Sequence, residues 1–320
     1  MALFLRKRLI LIKNEPSNSY GVDASPTAAS NAVLVRDLNI TPIQSDVVSR
    51  DLVRPYLGAS EQLLANTRVE CTFSVELAGS GTAGTAPAYG PALKACGMSE
   101  TVVASTSVTY APYSGPTVAS ATIHYNVDGV LHSVVGARGT FTLNCAVGQI
   151  PTLDFTFTGI YVTPTDTAAA TPTYTNQATP LIFKNGNTSG FELLGLTTGA
   201  LQSVSMDFGN TLVYRELVGG TKSALITDRR TSGTVVLEAV KMEYKNFFTA
   251  ALTDAALGNL EWIHGSAGNR VTFDSQKTDI GDVTYSDSDG IAMLNIPYTL
   301  VPSTIDNTTK LTDEFTLKFD

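Results

Sequence analysis

Charge is scarce in this chain. Only 16% of its 320 residues are Asp, Glu, Lys or Arg, and the balance is acidic, 21 Lys+Arg against 29 Asp+Glu, for a net charge of −8. A protein that grips nucleic acid by neutralising phosphates needs a basic face, so this composition excludes a DNA-gripping surface. Histidine and cysteine are also few. The three histidines, His124, His132 and His264, are not at ligand spacing, which argues against a metal site. The three cysteines, Cys71, Cys96 and Cys145, contain no C-x-x-C pair. Cys71 and Cys145 fall on the apolar phase of alternating runs and read as buried thiols in a reducing compartment. Long apolar runs are missing as well. After the basic cluster Arg6-Lys7-Arg8 the longest patch is Leu9 to Ile12, too short for a signal-peptide core or a membrane span. The expectation is a cytoplasmic product, with no membrane partner and the N-terminal segment as an arm or edge strand that pairs with a neighbour. Catalytic signatures are absent: there is no G-x-S-x-G elbow, H-E-x-x-H, P-loop or cysteine–histidine pattern. We expect no enzyme and no cofactor.

What is present is period-two alternation. Val69, Cys71, Phe73, Val75 and Leu77 alternate with Glu70, Thr72, Ser74 and Glu76, giving one buried and one polar face. Phe141, Leu143 and Cys145 alternate in the same way with Thr140, Thr142 and Asn144. Further strands are predicted over 33–41, 102–110, 121–127, 153–163, 201–208, 211–218, 271–273, 292–300 and 315–319. Asp128-Gly129, Asn185-Gly186, Gly219-Gly220 and Asp289-Gly290 mark the turns. Only two helices are predicted. One runs from Pro91 to Cys96, ended by Gly97; the other from Lys245 to Leu257, with Phe248, Ala251, Leu252 and Ala255 on one stripe. The fold class is mainly β, with one helix for each half of the chain.

The halves share a phrase. Val48-Ser49-Arg50-Asp51-Leu52-Val53 returns as Val213-Tyr214-Arg215-Glu216-Leu217-Val218, each copy ahead of a strand and a short helix. A supersecondary unit carried twice builds a pseudo-symmetric object. The weakly charged surface, rich in Thr, Ser, Asn and Gly, suits burial against partners. The chain divides into an arm at 1–32, a β domain at 33–165, a linker at 166–198 and a second β domain at 199–320. The linker carries Pro172, Pro180 and an alanine run, and 54–66 is an unusually long connection of the kind that is often functional.

Three motifs take the plainer reading. Gly79-Ser-Gly81-Thr-Ala-Gly84 matches a dinucleotide fingerprint, but the preceding strand alternates and no βαβ unit follows, so it reads as a strand-to-helix loop. Asp282 to Gly290 lacks the distant bidentate glutamate of a calcium loop and reads as a hairpin turn. Asp228-Arg229-Arg230 reads as a turn or an inter-subunit ion pair.

The stretch Val69-Glu-Cys-Thr-Phe-Ser-Val-Glu-Leu-Ala-Gly-Ser-Gly-Thr-Ala-Gly-Thr-Ala-Pro-Ala-Tyr-Gly-Pro-Ala-Leu-Lys-Ala-Cys-Gly97 resembles the major tail tube proteins of long, non-contractile-tailed bacteriophages. There an alternating strand leads through a glycine loop and a proline to a short helix ending in Cys-Gly. Lys13 to Thr27, followed by Val35-Arg36-Asp37-Leu38, is similar to the start of such proteins. The specific match covers about 13–97. The resemblance implies a β-sandwich or barrel-like tube domain, here in tandem, and a virion tail component whose rings stack around a DNA-conducting channel. Duplication would let three chains close a pseudo-sixfold ring in place of the usual hexamer. Implied partners are further copies of the chain, the tail terminator and tail tip proteins, and the tape measure protein and DNA passing through the bore. In this reading Glu70, Thr72, Ser74 and Glu76 line the lumen as part of a continuous inner β-barrel. Arg50, Asp51, Arg54, Glu61, Arg215, Glu216, Asp228 and Arg229 fall to contacts between subunits or rings. The alternatives are another virion component, a tail terminator or decoration protein, and a carbohydrate-binding adhesin.

Overall fold

Alternation sets the strands, and non-local pairing sets their order. The computed structural model describes residues 3–50, 52–253, 257–302 and 313–320, so Asp51 and Ala255 lie outside the described residues. Among the described residues the protein is mainly β, 52% strand against 4% helix, with two short helices. The first half holds β1 (Arg8–Asn14), β2 (Arg36–Ser49), β3 (Gln62–Glu76), α1 (Gly90–Ala95), β4 (Met98–Val103), β5 (Ser107–Pro112), β6 (Ala121–Val127), β7 (Val130–Ala146), β8 (Thr152–Tyr161) and β9 (Thr165–Asp166). The second holds β10 (Thr188–Leu193), β11 (Leu201–Asp207), β12 (Asn210–Arg215), β13 (Ser223–Arg229), β14 (Ser232–Glu238), α2 (Phe247–Leu252), β15 (Gly258–His264), β16 (Val271–Ile280), β17 (Thr284–Ser288), β18 (Ile291–Leu300) and β19 (Thr316–Phe319).

Two layers pack as a β-sandwich. The first sheet runs β2-β3-β8-β7-β11-β14-β18-β17, eight strands with every neighbour antiparallel. The second runs β4-β5-β19-β16-β15-β10. Between them aromatic rings touch in a continuous series through both halves. Phe73 stacks near Phe155 at 5.4 Å, Phe155 meets Phe141 at 5.6 Å, and Phe141 meets Phe208 at 4.8 Å. Phe208 reaches Phe315 at 5.7 Å, which stacks at 5.5 Å on Phe273, itself 5.6 Å from Trp262. One contiguous core therefore runs through both halves, with a smaller separate cluster of Leu9, Leu11, Ala28 and Ala32 on the other side of β1. All three cysteines are buried and free within it.

Several predicted elements differ in detail. The run 102–110 is two strands, because Ala104-Ser105-Thr106 closes a hairpin, with Ser105 at φ 56° and Thr106 N donating to Val103 O at 3.0 Å. The second helix is shorter than predicted. Asn246 caps it, its side chain accepting from Thr249 N at 3.0 Å, and extended Thr253 ends it. Phe247 is its buried anchor, while Leu252 is exposed. The N-terminal patch finds its partner in its own chain: β1 pairs along β6 from Arg8↔Val127 to Asn14↔Ala121 and buries Leu9 to Ile12. The glycine loop serves close packing. A Cβ on Gly79 would lie 3.0 Å from the Gly268 carbonyl of the other half.

Strand direction separates two ends of the molecule. β3 starts at the tip of its hairpin with β2 and finishes at Glu76, opposite Thr152 beside the β7–β8 turn. Its 15 residues span roughly 50 Å at the usual rise per residue. The β12–β13 hairpin forms a separate two-stranded sheet laid against the first half. Its Tyr214 hydroxyl donates to Thr67 O at 3.0 Å, which puts the second hairpin tip at the same end as the first.

Candidate functional site

The first sheet has one apolar and one polar face. On β3 the residues Val69, Cys71, Phe73 and Val75 are buried, and Glu70, Thr72, Ser74 and Glu76 stand half-buried on the opposite side. Register carries that polar face across the sheet. One row reads Arg36, Ser74, Asp154, Thr142, Asp207, Ser232 and Thr299; the next reads Glu76, Thr152, Asn144, Ser205, Thr234 and Pro297. Further rows bring Thr72 beside Thr156 and Asn39, and Glu70 beside Thr158 and Thr41. The result is a hydroxyl-rich surface dotted with carboxylates. Its flanking cations are neutralised locally: Arg36 lies 3.9 Å from Glu76, and Arg68 lies 3.2 Å from Asp46. Asp154 accepts from Asn144 Nδ2 at 2.7 Å. The neighbours of the β3 row, Asp154 and Asp207 above all, were not legible from local alternation, because their place depends on register.

Among the described residues this polar sheet has two terminal strands, β2 and β17, each paired on one side, while past β17 the end of β18 passes to β16 of the second sheet, with Ile280 opposite Tyr298. Beyond the ends of the strands stand the hairpin tips. Both copies of the shared phrase end the outgoing strand of a hairpin, Val48 to Ser49 on β2 and Val213 to Arg215 on β12. Each stem carries an ion pair across it: Arg50 with Glu61 in the first, and Glu216 with Lys222 at 2.9 Å in the second. Arg54 donates to Ala59 O at 3.4 Å and lies over the Tyr56 ring. The apolar residues that follow are bare. Leu52, Val53, Tyr56 and Leu57 are exposed on the first tip, and Leu217 and Val218 on the second. Arg215 is exposed opposite Ser223. Asp51 lies outside the described residues. Asp228 and Arg229 sit at the hairpin base, away from the tip. Asp228 accepts from Arg229 N at 2.8 Å, and the Arg229 guanidinium, 11% exposed, holds Glu314 through bonds of 3.1 and 2.9 Å.

A buried polar latch, not foreseen from the sequence, sets the pose of the second hairpin. Glu15 is 7% exposed and accepts from Gly21 N at 2.8 Å, Ser120 Oγ at 2.6 Å, Thr122 Oγ1 at 3.2 Å and Gly136 N at 2.6 Å. Gly136, at φ 60°, leaves room for Tyr20, whose ring a Cβ there would meet at 2.8 Å. The Tyr20 hydroxyl donates to Gly136 O at 2.9 Å and accepts from Ala224 N on β13 at 2.7 Å. Burial raises its pKa. Arg138 lies 4.8 Å over the Tyr20 ring and donates to Ala224 O at 3.0 Å. The only signals were Glu15 beside Pro16 and Gly136, one of two glycines inside β7. Neither identifies a partner more than 100 residues away.

A mainly β chain with one polar sheet face, two terminal strands and bare hairpin tips has the build of an assembly component. The chain belongs to the phage tail tube protein family, whose model matches residues 6–300. It is a structural protein of the virion tail. The family implies self-assembly into a tube together with other tail components. No curated protein matches the chain.

Proposed function

We propose that copies of this chain close into rings by joining the β2 edge of one to the β17 edge of the next. The rings stack into a tube whose bore passes the tape measure protein and DNA, and the tail terminator and tip proteins meet its ends. The observation that carries this reading is the eight-stranded antiparallel sheet with one polar face. Because the number of strands is even, β17 of one copy meets β2 of the next in antiparallel sense, and the alternation continues through the joint. Backbone hydrogen bonding then runs around the ring and no edge stays open.

Connectivity supports three chains per ring. Within the sheet, β2-β3-β8-β7 and β11-β14-β18-β17 repeat one order: a hairpin, then the returning strand, then that strand's own partner. Two such units per chain give six quasi-equivalent positions from three copies, and the repeated phrase stands at matching points of both.

The polar face lines the bore. Glu70, Glu76, Asp154 and Asp207 repel phosphates within a Debye length of about 8 Å, and the cations of the same rows are engaged within the chain, Arg36 with Glu76, Arg68 with Asp46 and Arg138 with the Ala224 and Val118 carbonyls. The role is structural and non-enzymatic. Negative-stain microscopy of the purified protein tests the assembly: rings or tubes with a central hole are expected, and single-chain particles overturn it. Replacing Glu70 and Glu76 together with lysine is expected to leave tubes intact and slow genome ejection. Unchanged ejection removes the lumen assignment.

A further inference from the structure

We infer that the Leu217–Val218 tip of one copy seats in an apolar groove beside the β7–β8 turn of a second copy, in the neighbouring ring. This inference rests on the stacked-ring reading and names the receptor that stacking requires. The groove is a cavity of about 360 Å³ walled by Val147, Phe183, Phe191, Ala200 and Leu201, with Lys184 at its lip. Backbone bonds preform it: Gly148 N donates to Phe183 O at 2.9 Å, Phe183 N to Gln149 O at 2.8 Å and Val147 N to Gln202 O at 2.9 Å.

Tip and groove lie at opposite ends of one stretch of chain. Leu201 opens β11 in the groove wall, and the same run leads through β12 to Arg215 and the tip. A copy therefore cannot fill its own groove. Translation along the strand direction brings the tip of one copy to the groove of the next, a head-to-tail contact that repeats without closing. The tip is held ready, since Gly220 N donates to Leu217 O at 3.0 Å and Glu216 pairs with Lys222 below it. Charge agrees. The Lys184 ammonium has no acidic partner among the described residues, and the Glu216 carboxylate beside Leu217, shared with Lys222 at 2.9 Å, would face it. The first tip presents Leu52, Val53, Tyr56 and Leu57, a larger apolar set than the two residues of the second tip.

Disulfide trapping tests the seat. The native cysteines are all buried, so V218C and A200C place the exposed thiols in the full-length chain. Tubes are confirmed by negative stain and then oxidised with copper phenanthroline. A ladder of cross-linked chains is expected from V218C/A200C. Either single variant joins at most two chains. No ladder from intact tubes overturns the seat, as does a ladder from V53C/A200C in its place. A second measurement covers a double variant that fails to stack: L217D is expected to give separate rings, and L217D tubes of ordinary length overturn the seat. Failure of the unaltered protein to form rings or tubes refutes the tube reading itself, so the two failures are distinguishable.

Discussion

Glu15 is the best place to test whether a buried charge or the apolar core fixes the first half. Each carboxylate oxygen takes one backbone N–H and one hydroxyl: Oε2 from Gly21 and Ser120, Oε1 from Gly136 and Thr122. In Glu15→Gln one oxygen becomes an NH₂ group. A hydroxyl facing it turns and accepts, but a backbone N–H cannot, so one buried donor is left against another. An unpaired buried donor costs about 1–3 kcal/mol, and we expect about 2 kcal/mol for Gln. Glu15→Ala strips the acceptor from both backbone N–H groups and opens a small void, so about 4 kcal/mol is expected. Urea unfolding followed by the fluorescence of buried Trp262 reads both losses. Hydrogen exchange adds the location, because the latch reaches Ala224 N through Tyr20. Amides of Gly136 and Ala224 should exchange faster in Glu15→Gln before global unfolding sets in. If both variants unfold within about 0.5 kcal/mol of the parent, or if Ala224 keeps its protection, the four-donor latch does not hold the hairpin.

Burial pushes the Cys71 thiol up to about 12 and raises Cys96 and Cys145 as well. The native chain is therefore expected to be inert to a thiol reagent at pH 8 and to react at all three cysteines once unfolded; rapid labelling of the native chain would refute this burial. His264 is held neutral: burial lowers its pKa, Nε2–H donates to Leu181 O at 3.1 Å and Nδ1 faces the Thr188 hydroxyl at 2.9 Å. Below the unfolded value of about 6.5 the unfolded chain takes up the proton first, so stability falls as pH drops from there towards the lower folded value. The urea midpoint should decline over that window and decline less in His264→Gln. An identical slope in the two proteins excludes His264 as the cause.

Strands with one buried face were legible because burial writes a period of two into the residues. β3 is the clearest case, and the Asp128-Gly129 and Asp289-Gly290 turns announced themselves through the left-handed backbone they adopt, with φ of 45° and 105° and of 55° and 83°. The polar row from Glu70 to Glu76 followed from the same alternation. Its extension over Asp154 and Asp207 did not, because it rests on β3 meeting β8 with Glu76 opposite Thr152 and on β7 meeting β11. Local pattern carries no record of such pairings. Arg229 illustrates the limit: in sequence it is a charge in a turn, and in the fold it holds Glu314, 85 positions away. The bare apolar tips were hidden for the opposite reason. Leu217-Val218 read as the end of a strand and Leu52-Val53 as a phrase ahead of one, until the hairpins were seen to end beneath them.

An edge that must accept one partner has to refuse all others. The terminal strand β2 is 14 residues long, and a smooth edge of that length would template aggregation. It is not smooth: Pro42 removes a donor, and its pairing with β3 shifts register at three places. At the other terminus β17 has five residues and carries Asp287. A short strand laid on an interrupted one pairs at few registers. A slip by one residue would turn the polar side chains of the proposed bore towards the core. Specificity in the proposed ring thus comes from backbone shape, and the scarcity of charge has a place in it. With so few ionic groups, long-range attraction between copies would be weak, and the proposed joint would form only when two irregular edges match.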